Sequence, residues 1–182
     1  MRNAVTALAA IVLFLGANAT TRAETDPLEA FGLIRYEESK RAPEFALPAL
    51  DGATVELSGL RGRVVVLNIW ATWCPACRDE MPSLERLHRE FDSQGVSVLA
   101  ASLREDHEDV ETFVREFKLT MPTLLDRDGR VGERYGIQWL PTTFLIGPDG
   151  RLIARAIGPK DWAGVEASAV IRKLLQGRGT KR

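Results

Sequence analysis

Apolar runs separated by polar breaks divide the chain into predicted strands and helices. Residues 64–70 (VVVLNIW) are strand-forming and almost wholly apolar, which predicts a strand buried on both faces of a sheet. Shorter runs of the same kind predict strands at 96–101, 123–125, 142–146 and 152–157. Because stretches with helical spacing lie between these strands, we predict an α/β fold with a central mixed sheet flanked by helices.

The helical stretches follow the predicted strands. The first is predicted from about 74 to 93, the second around 110–117 and the last from about 161 to 176. Asp106 stands where its side chain would cap the second helix. Ahead of the first buried strand, the Asp-Gly pair at 51–52 separates two β-prone segments, which predicts an N-terminal β-hairpin.

The first 23 residues have the pattern of a secretory signal peptide. Arg2 gives a basic start, residues 4–16 form an apolar stretch, and small residues mark a cleavage site near Ala23. The apolar stretch is shorter than the ~20 residues that span a bilayer, and an uncleaved membrane anchor is the alternative. We expect an exported protein, in the periplasm or at the outer face of the cytoplasmic membrane, where disulfides persist.

The rest of the chain fits one globular domain. Residues 24–42 are polar and are predicted to be a spacer, 43–176 to be the domain, and 177–182 to be a flexible tail. The net charge of −1 would become −3 once the first 23 residues, with their two arginines, were removed. Because this charge is small, we expect no nucleic-acid partner.

The chain has two cysteines, Cys74 and Cys77, at C-x-x-C spacing between the buried strand and the first long helix. The unpaired N–H groups and the positive dipole end of that helix would stabilise the Cys74 thiolate, the form that attacks disulfides. This arrangement predicts a redox site in which Cys74 is the exposed nucleophile with a low pKa. Cys77 is then the buried partner with the higher pKa.

Other uses of the cysteine pair fit the chain less well. A zinc site needs further ligands at ligand spacing, and His88 and His107 lie at unrelated spacings. A purely structural disulfide across a two-residue gap restrains little of the unfolded chain. A peroxiredoxin would carry P-x-x-x-T-x-x-C, but Leu67 stands at the proline position. We therefore expect no metal and no cofactor.

Two motifs, in this order, carry a resemblance to a known family. W-C-P-A-C at 73–77 follows a buried strand, and L-P-T-T-F-L-I at 140–146 precedes Pro-Asp-Gly at 148–150. Over residues 42–175 the chain resembles exported thiol–disulfide oxidoreductases of the TlpA/ResA type, within the thioredoxin family. The resemblance implies a thioredoxin-like fold with a strand-and-helix insertion between the motifs, and the stretch 110–135 matches that insertion in length and character.

The resemblance also implies roles for individual residues. Cys74 would be the attacking thiolate and Cys77 the resolving one, and Pro141 would be a cis-proline beside the disulfide that offers backbone to an incoming peptide. From their places beside the two motifs, Trp73, Trp139 and Leu140 are candidates to join Pro141 in binding substrate. The alternatives are that Trp73 forms an apolar wall around the site and that Trp139 simply packs.

Glu80 is the remaining catalytic candidate. It lies three residues after Cys77, so a helix places both on nearly the same face. Taken alone, the run of charges at 78–80 favours a solvated surface acid, whereas reductases of the family keep a glutamate here as a proton carrier. Cytosolic thioredoxins keep a buried aspartate six residues before the first cysteine. Asn68 stands there and cannot titrate, so a proton carrier would have to be Glu80.

The resemblance favours a reductase of disulfides in envelope proteins, acting in cytochrome c maturation or in copper-site assembly. Its partners would be exported protein thiols and disulfides, such as apocytochrome c, together with a thiol-reductant donor in the membrane. Two alternatives remain open. One is a periplasmic disulfide oxidase or isomerase with the same cysteines, and the other is a copper-binding metallochaperone.

Overall fold

Residues 25–177, which the computed structural model describes, form five α-helices and eight β-strands. The helices are α1 (Pro27–Ala30), α2 (Pro75–Phe91), α3 (His107–Phe117), α4 (Arg130–Arg134) and α5 (Val165–Gln176). The strands are β1 (Ile34–Arg35), β2 (Ala46–Pro48), β3 (Thr54–Glu56), β4 (Val64–Trp70), β5 (Val96–Leu103), β6 (Thr123–Asp126), β7 (Thr142–Ile146) and β8 (Leu152–Ile157).

Six of these strands form one mixed sheet in the order β1-β8-β7-β4-β5-β6. Strands β4, β5 and β6 are parallel, whereas β7 runs antiparallel to both β4 and β8, and β1 runs antiparallel to β8. Strands β2 and β3 form a separate antiparallel hairpin. The predicted mixed sheet and N-terminal hairpin are therefore confirmed, and β4, β7 and β8 have the predicted bounds.

Strand β4 lies inside the sheet, and all seven of its residues are buried. Successive side chains of a strand point to opposite faces. Val66 and Trp70 accordingly belong to the core that includes residues of α2, α3 and α5, while Leu67 and Ile69 belong to the core beneath the hairpin and α4. Asn68 shares the face of Val66 and Trp70, so a polar amide lies on the α2 side of the sheet.

The segment 24–42 differs from the predicted spacer. Leu28 of α1 is buried, and α1 lies against α5. Ile34 pairs with Arg155, so β1 forms one edge of the main sheet. These elements are too short for a recognisable apolar period, and contacts with distant parts of the chain stabilise them. The folded part therefore begins well before residue 43.

Two helix starts also differ in detail from the prediction. Helix α5 begins at Val165 rather than near 161, because residues 161–164 form a turn in which the Asp161 carboxylate accepts a hydrogen bond from the Ala163 N–H. Asp106 occupies the N-cap position of α3, but its exposed side chain makes no capping hydrogen bond. Water can solvate that carboxylate in place of the backbone.

The predicted signal peptide (1–23) and nearly all of the predicted tail (177–182) lie outside the described residues. Within residues 25–177, no helix combines the length and the apolar character that crossing a membrane requires.

Candidate active site

The two cysteines form a disulfide at the start of α2, just beyond the end of β4. Their Cα atoms are 5.2 Å apart, and Cys74 is the N-cap residue. The Cys77 N–H points at the Cys74 sulfur at 3.2 Å. The helix N-terminus is thus directed at the Cys74 sulfur as predicted, which favours the thiolate once the disulfide is reduced.

Burial of the two sulfur-bearing residues departs partly from expectation. Cys77 is fully buried as predicted, but Cys74, predicted to be exposed, retains only 5% of its surface in this disulfide form. The ring closed by the disulfide packs Cys74 into the same apolar cluster that holds Cys77. Cys74 is still the more accessible of the two.

The loop that leads into Cys74 is held by a carboxylate that the sequence did not single out. Glu105 accepts hydrogen bonds from the backbone N–H of Thr72 (3.0 Å) and from its hydroxyl (2.5 Å). The Ser102 hydroxyl, near the end of β5, donates a further bond of 2.6 Å. These contacts join the loop to the neighbouring strand across some thirty residues of sequence, a separation that local patterns do not reveal.

Pro141 lies at the same end of the sheet. The Leu140–Pro141 peptide is cis, as the resemblance implies. Thr142 pairs with Ile69 across β7 and β4, so Pro141 stands beside the point where β4 leads into the cysteine loop. The Pro141 carbonyl accepts a hydrogen bond of 2.9 Å from the Gly158 N–H.

Two tryptophans near this end of the sheet are exposed to solvent. Trp73 directly precedes Cys74 and is 70% exposed, and Trp139 is 68% exposed. The Trp139 carbonyl accepts a hydrogen bond of 2.7 Å from the Thr142 hydroxyl, which fixes the backbone of its loop. Exposed aromatic side chains of this size are suited to contact with another protein.

Glu80 is buried, with 2% of its surface exposed, so the interpretation as a solvated surface acid is wrong. Its Oε1 accepts hydrogen bonds from the Trp162 indole N–H (2.6 Å) and the Lys160 backbone N–H (3.1 Å), and its Oε2 accepts one from Asn68 (3.0 Å). Burial raises the pKa of Glu80 to about 7, although these hydrogen bonds and the Lys160 charge act in the opposite direction.

The loop after β8 holds this carboxyl in place. Within that loop the backbone N–H of Trp162 donates to the Ser83 hydroxyl at 3.1 Å, which ties the loop to α2. A groove of about 360 Å³ borders Glu80 on this side and is lined by Asp79, Glu80, Pro82, Ser83, Arg86, Pro159, Lys160 and Asp161. The groove gives solvent an approach to the buried carboxyl.

Neither Trp162 nor Asn68 was predicted to contact Glu80. Asn68 was recognisable only as a residue that cannot titrate, and Trp162 lies 82 positions from Glu80 with no motif around it. Within residues 25–177, no group of three or more His, Cys, Asp or Glu side chains is arranged to hold a metal ion.

Comparison with known proteins shows which family the chain belongs to. A profile of the AhpC/TSA family matches residues 39–155. The thiol-disulfide oxidoreductase ResA of Bacillus subtilis is 38% identical over 127 residues, which cover 70% of this chain and 71% of the relative. The chain belongs to the AhpC/TSA family of thioredoxin-like proteins. The peroxiredoxin alternative is not restored by this membership, because Leu67 still replaces the required proline.

Solved structures agree with this family membership. A thiol-disulfide oxidoreductase from Bacteroides fragilis is 30% identical, with a TM-score of 0.64, and covers 74% of this chain and 99% of its own. A secreted Mycobacterium tuberculosis disulfide oxidoreductase, homologous to E. coli DsbE, is 28% identical, with a TM-score of 0.59, and covers 74% of this chain and 92% of its own. This family member is accordingly a ResA-like thiol–disulfide oxidoreductase that acts on protein thiols and disulfides, as the resemblance predicted.

Proposed function

We propose that the protein is an exported reductase of disulfides in envelope proteins, with Cys74 as the attacking thiol and Cys77 as the resolving thiol. The observation that carries this proposal is the buried carboxyl of Glu80, one helical turn after Cys77 on α2. A dithiol that cycles to a disulfide has to release and recover protons. A buried acid with a pKa of about 7 can exchange them at neutral pH.

The reaction starts from the dithiol form of the protein. The Cys74 thiolate attacks one sulfur of the substrate disulfide, so an S–S bond forms between protein and substrate while the substrate's own S–S bond breaks. The first substrate thiolate leaves and takes up a proton. Cys77 then loses its proton and attacks the Cys74 sulfur, which releases the second substrate thiolate for protonation. Two electrons pass to the substrate, and the protein ends with the Cys74–Cys77 disulfide.

Glu80 is the group that we assign to the proton of Cys77. In its ionised form the carboxylate accepts that proton as Cys77 becomes a nucleophile, and it returns the proton when the disulfide is reduced again. A thiol-reductant donor in the membrane would supply the two electrons for that second half of the cycle. Solvent in the groove beside Glu80 would exchange the proton with the bulk.

Substrate recognition belongs to the surface around the disulfide. Trp73 and Trp139 are the exposed aromatic side chains there, and we assign them to apolar contacts with the substrate protein. Because Gly158 already donates a hydrogen bond to the Pro141 carbonyl, the backbone of Leu140 is the part of the cis-proline loop that we assign to pairing with an extended substrate segment.

Export is supported by the N-terminal pattern of residues 1–23 and by the similarity to a secreted disulfide oxidoreductase. In an oxidising compartment, cysteines that must stay free for haem attachment or for copper binding need a dedicated reductant. We therefore name apocytochrome c, with its C-x-x-C-H thiols, and apo copper proteins as the substrate classes.

Mixed-disulfide trapping tests this assignment. A Cys77→Ser variant should accumulate a covalent adduct with an oxidised C-x-x-C-H peptide, because the adduct at Cys74 can no longer be resolved. The matched Cys74→Ser variant should form none. Adducts that accumulate on Cys74→Ser instead, through Cys77, would reverse the two roles. A wild-type protein that has been reduced, freed of dithiothreitol and still fails to reduce the peptide would overturn the reductase assignment.

A further inference from the structure

The side-chain amide of Asn68 makes hydrogen bonds to other described residues through its nitrogen but not through its oxygen. Its Nδ2 donates hydrogen bonds to Glu80 Oε2 at 3.0 Å and to the Thr143 hydroxyl oxygen at 2.9 Å. Its Oδ1 is buried and has no hydrogen-bond partner among residues 25–177. A buried acceptor without a donor is unfavourable, and an amide carries both donors and acceptors. In this orientation the amide offers only N–H donors to Glu80, which suits the ionised carboxylate better than a carboxyl whose proton lies on Oε2.

Protonation of Glu80 would reverse that requirement. A carboxyl oxygen that carries the proton becomes a donor, and it would then face the N–H groups of Asn68. Turning the amide over by about 180° places Oδ1 opposite the carboxyl proton instead. The oxygen and nitrogen of an asparagine amide are nearly equal in size, so this rotation requires no repacking of the buried strand.

Thr143 can follow the same change. A hydroxyl both accepts and donates, so in the turned orientation the Thr143 O–H can donate to Oδ1 where it now accepts from Nδ2. The hydrogen bonds that join the amide to Glu80 and to Thr143 are therefore kept in both states. In the turned orientation Oδ1 accepts them both, and Nδ2 takes the position in which Oδ1 is now unpaired.

The other side of Glu80 cannot adapt in this way. Oε1 accepts from the Trp162 indole N–H and the Lys160 backbone N–H, and both groups are donors only. A proton on Oε1 would face two donors, whereas a proton on Oε2 meets a partner that can turn. The carboxyl proton is therefore directed to Oε2, the oxygen that faces Asn68.

We propose that Asn68 is a positioning residue that keeps Glu80 hydrogen-bonded in both of its protonation states by turning its side-chain amide over when Oε2 gains or loses a proton. The inference deepens the proposed function and rests on it for its biological meaning, since the amide reversal would hold Glu80 in one place throughout the redox cycle.

The groups around Glu80 determine the pH at which its carboxyl gains or loses a proton. Among the described residues, the ionisable groups placed near Glu80 are Lys160, whose charge favours the carboxylate, and the Asp79, Arg86 and Asp161 side chains that line the same groove. Burial raises the pKa of Glu80 to about 7, so both protonation states are populated near neutral pH.

Nuclear magnetic resonance on the oxidised full-length protein tests the reversal without the complication of titrating thiols. The Asn68 side-chain N–H groups and the Trp162 indole N–H converge on one carboxylate, so we expect a nuclear Overhauser cross-peak between them above the pKa of Glu80. The cross-peak should disappear as the pH falls, with the midpoint given by the Glu80 carboxyl carbon in the same samples. The Gln94 side-chain amide, which donates to the Glu90 carbonyl, is the internal control and should not change.

The outcomes separate this inference from the proposed function. A cross-peak that persists unchanged while Glu80 titrates would overturn the amide reversal, whatever Glu80 does for the thiols. A cross-peak that vanishes at the titration midpoint of Glu80 supports the reversal. If a Glu80→Gln variant also keeps the wild-type pH dependence of thiol alkylation, only the role of Glu80 as proton carrier is overturned. In Glu80→Gln the Asn68 amide signals should be independent of pH.

Discussion

The indole Nε1 of Trp162 donates a hydrogen bond of 2.6 Å to Oε1 of Glu80, and both residues are buried. Phe31 packs against the indole ring in a T-shaped arrangement, with the ring centroids 5.2 Å apart, and this contact helps to hold the ring in place. A hydrogen bond made away from water interacts strongly with a charged acceptor. Trp162 therefore stabilises the ionised form of Glu80 and limits how far burial raises its pKa.

Replacing this donor should shift the titration of Glu80. In Trp162→Phe we expect the pKa of Glu80 to rise above its wild-type value by about one to two pH units, because a hydrogen bond to a charged group contributes roughly 1.5–3 kcal/mol. The carboxyl carbon signal of Glu80 measures this directly. Trp139→Phe, at an exposed position, is the matched control and should leave the pKa where it is. Equal pKa values in the two variants would contradict the assignment.

The coupling of Glu80 to the dithiol has its own test. In the reduced protein, the carboxylate of Glu80 should oppose ionisation of the nearby thiols, and the two kinds of group should titrate as a pair. Glu80→Gln should therefore move the pH profile of Cys74 alkylation to lower pH by about one unit and remove its inflection near neutral pH. Superimposable profiles would assign the proton role to water or backbone, since Asn68 cannot take it.

The raised pKa of Glu80 also predicts a dependence of stability on pH. Between the unfolded value of 4.5 and the folded value of about 7, the folded protein binds the proton more tightly than the unfolded chain does. The stabilisation from this group is therefore complete at low pH and is lost as the pH rises through that window, by about 3 kcal/mol.

Urea unfolding of the oxidised protein at several pH values measures this effect as a difference from Glu80→Gln, which has no such proton. The difference in free energy of unfolding, variant minus wild type, should increase as the pH rises from about 4.5 to about 7. Above about pH 7 this difference should stay constant. Parallel curves across the whole range would mean that Glu80 is not held at a raised pKa.

The direction of the redox reaction depends on the reduction potential. Pro75 and Ala76 place neither a charge nor an imidazole between the cysteines, so no side chain there gives the Cys74 thiolate extra stabilisation. We expect a potential of roughly −200 to −280 mV, between the values of glutaredoxins and thioredoxin. Equilibration with glutathione buffers measures it. A potential near about −120 mV, that of a strong oxidant, would favour the alternative of a periplasmic oxidase.

The strands around the site were predictable because the burial of each strand shows in its own run of apolar residues. Strand β4 is covered on both faces and flanked by β5 and β7, so each of its positions has to be apolar or internally paired, and its bounds follow from the sequence. Cys74 and Cys77 were likewise recognisable from spacing and from their place between β4 and α2. The cis conformation at Pro141 followed from the resemblance alone, because nothing in the residues themselves favours it.

The partners of the catalytic groups were not predictable in the same way. Glu80 stands among charged neighbours in the sequence, and its burial depends on contacts with the loop after β8, which is distant in sequence. Glu105 and Trp162 reach the site across tens of residues, so no local pattern reveals them. Asn68 could be identified as a departure from cytosolic thioredoxins, yet its contact with Glu80 depends on how α2 packs against β4.

The exposed tryptophans should matter for protein substrates but not for small disulfides. The rings of Trp73 and Trp139 are both exposed, and in the proposed function they contact the substrate protein. Removing either ring would then take away contact area that only a large substrate covers. Trp73→Ala and Trp139→Ala should each lower kcat/KM for an oxidised C-x-x-C-H protein by about tenfold, the effect of losing roughly 1.4 kcal/mol of binding.

Reduction of a small aromatic disulfide reagent by the same variants should proceed at the wild-type rate, because Cys74 and Cys77 are unchanged. Val165→Ala is the matched control: Val165 is 79% exposed but lies at the start of α5, on a different element from the cysteine loop. It should leave both rates unaltered. If the tryptophan variants slowed the small reagent as much as the protein, the rings would act by shaping the cysteine loop rather than by contacting the substrate.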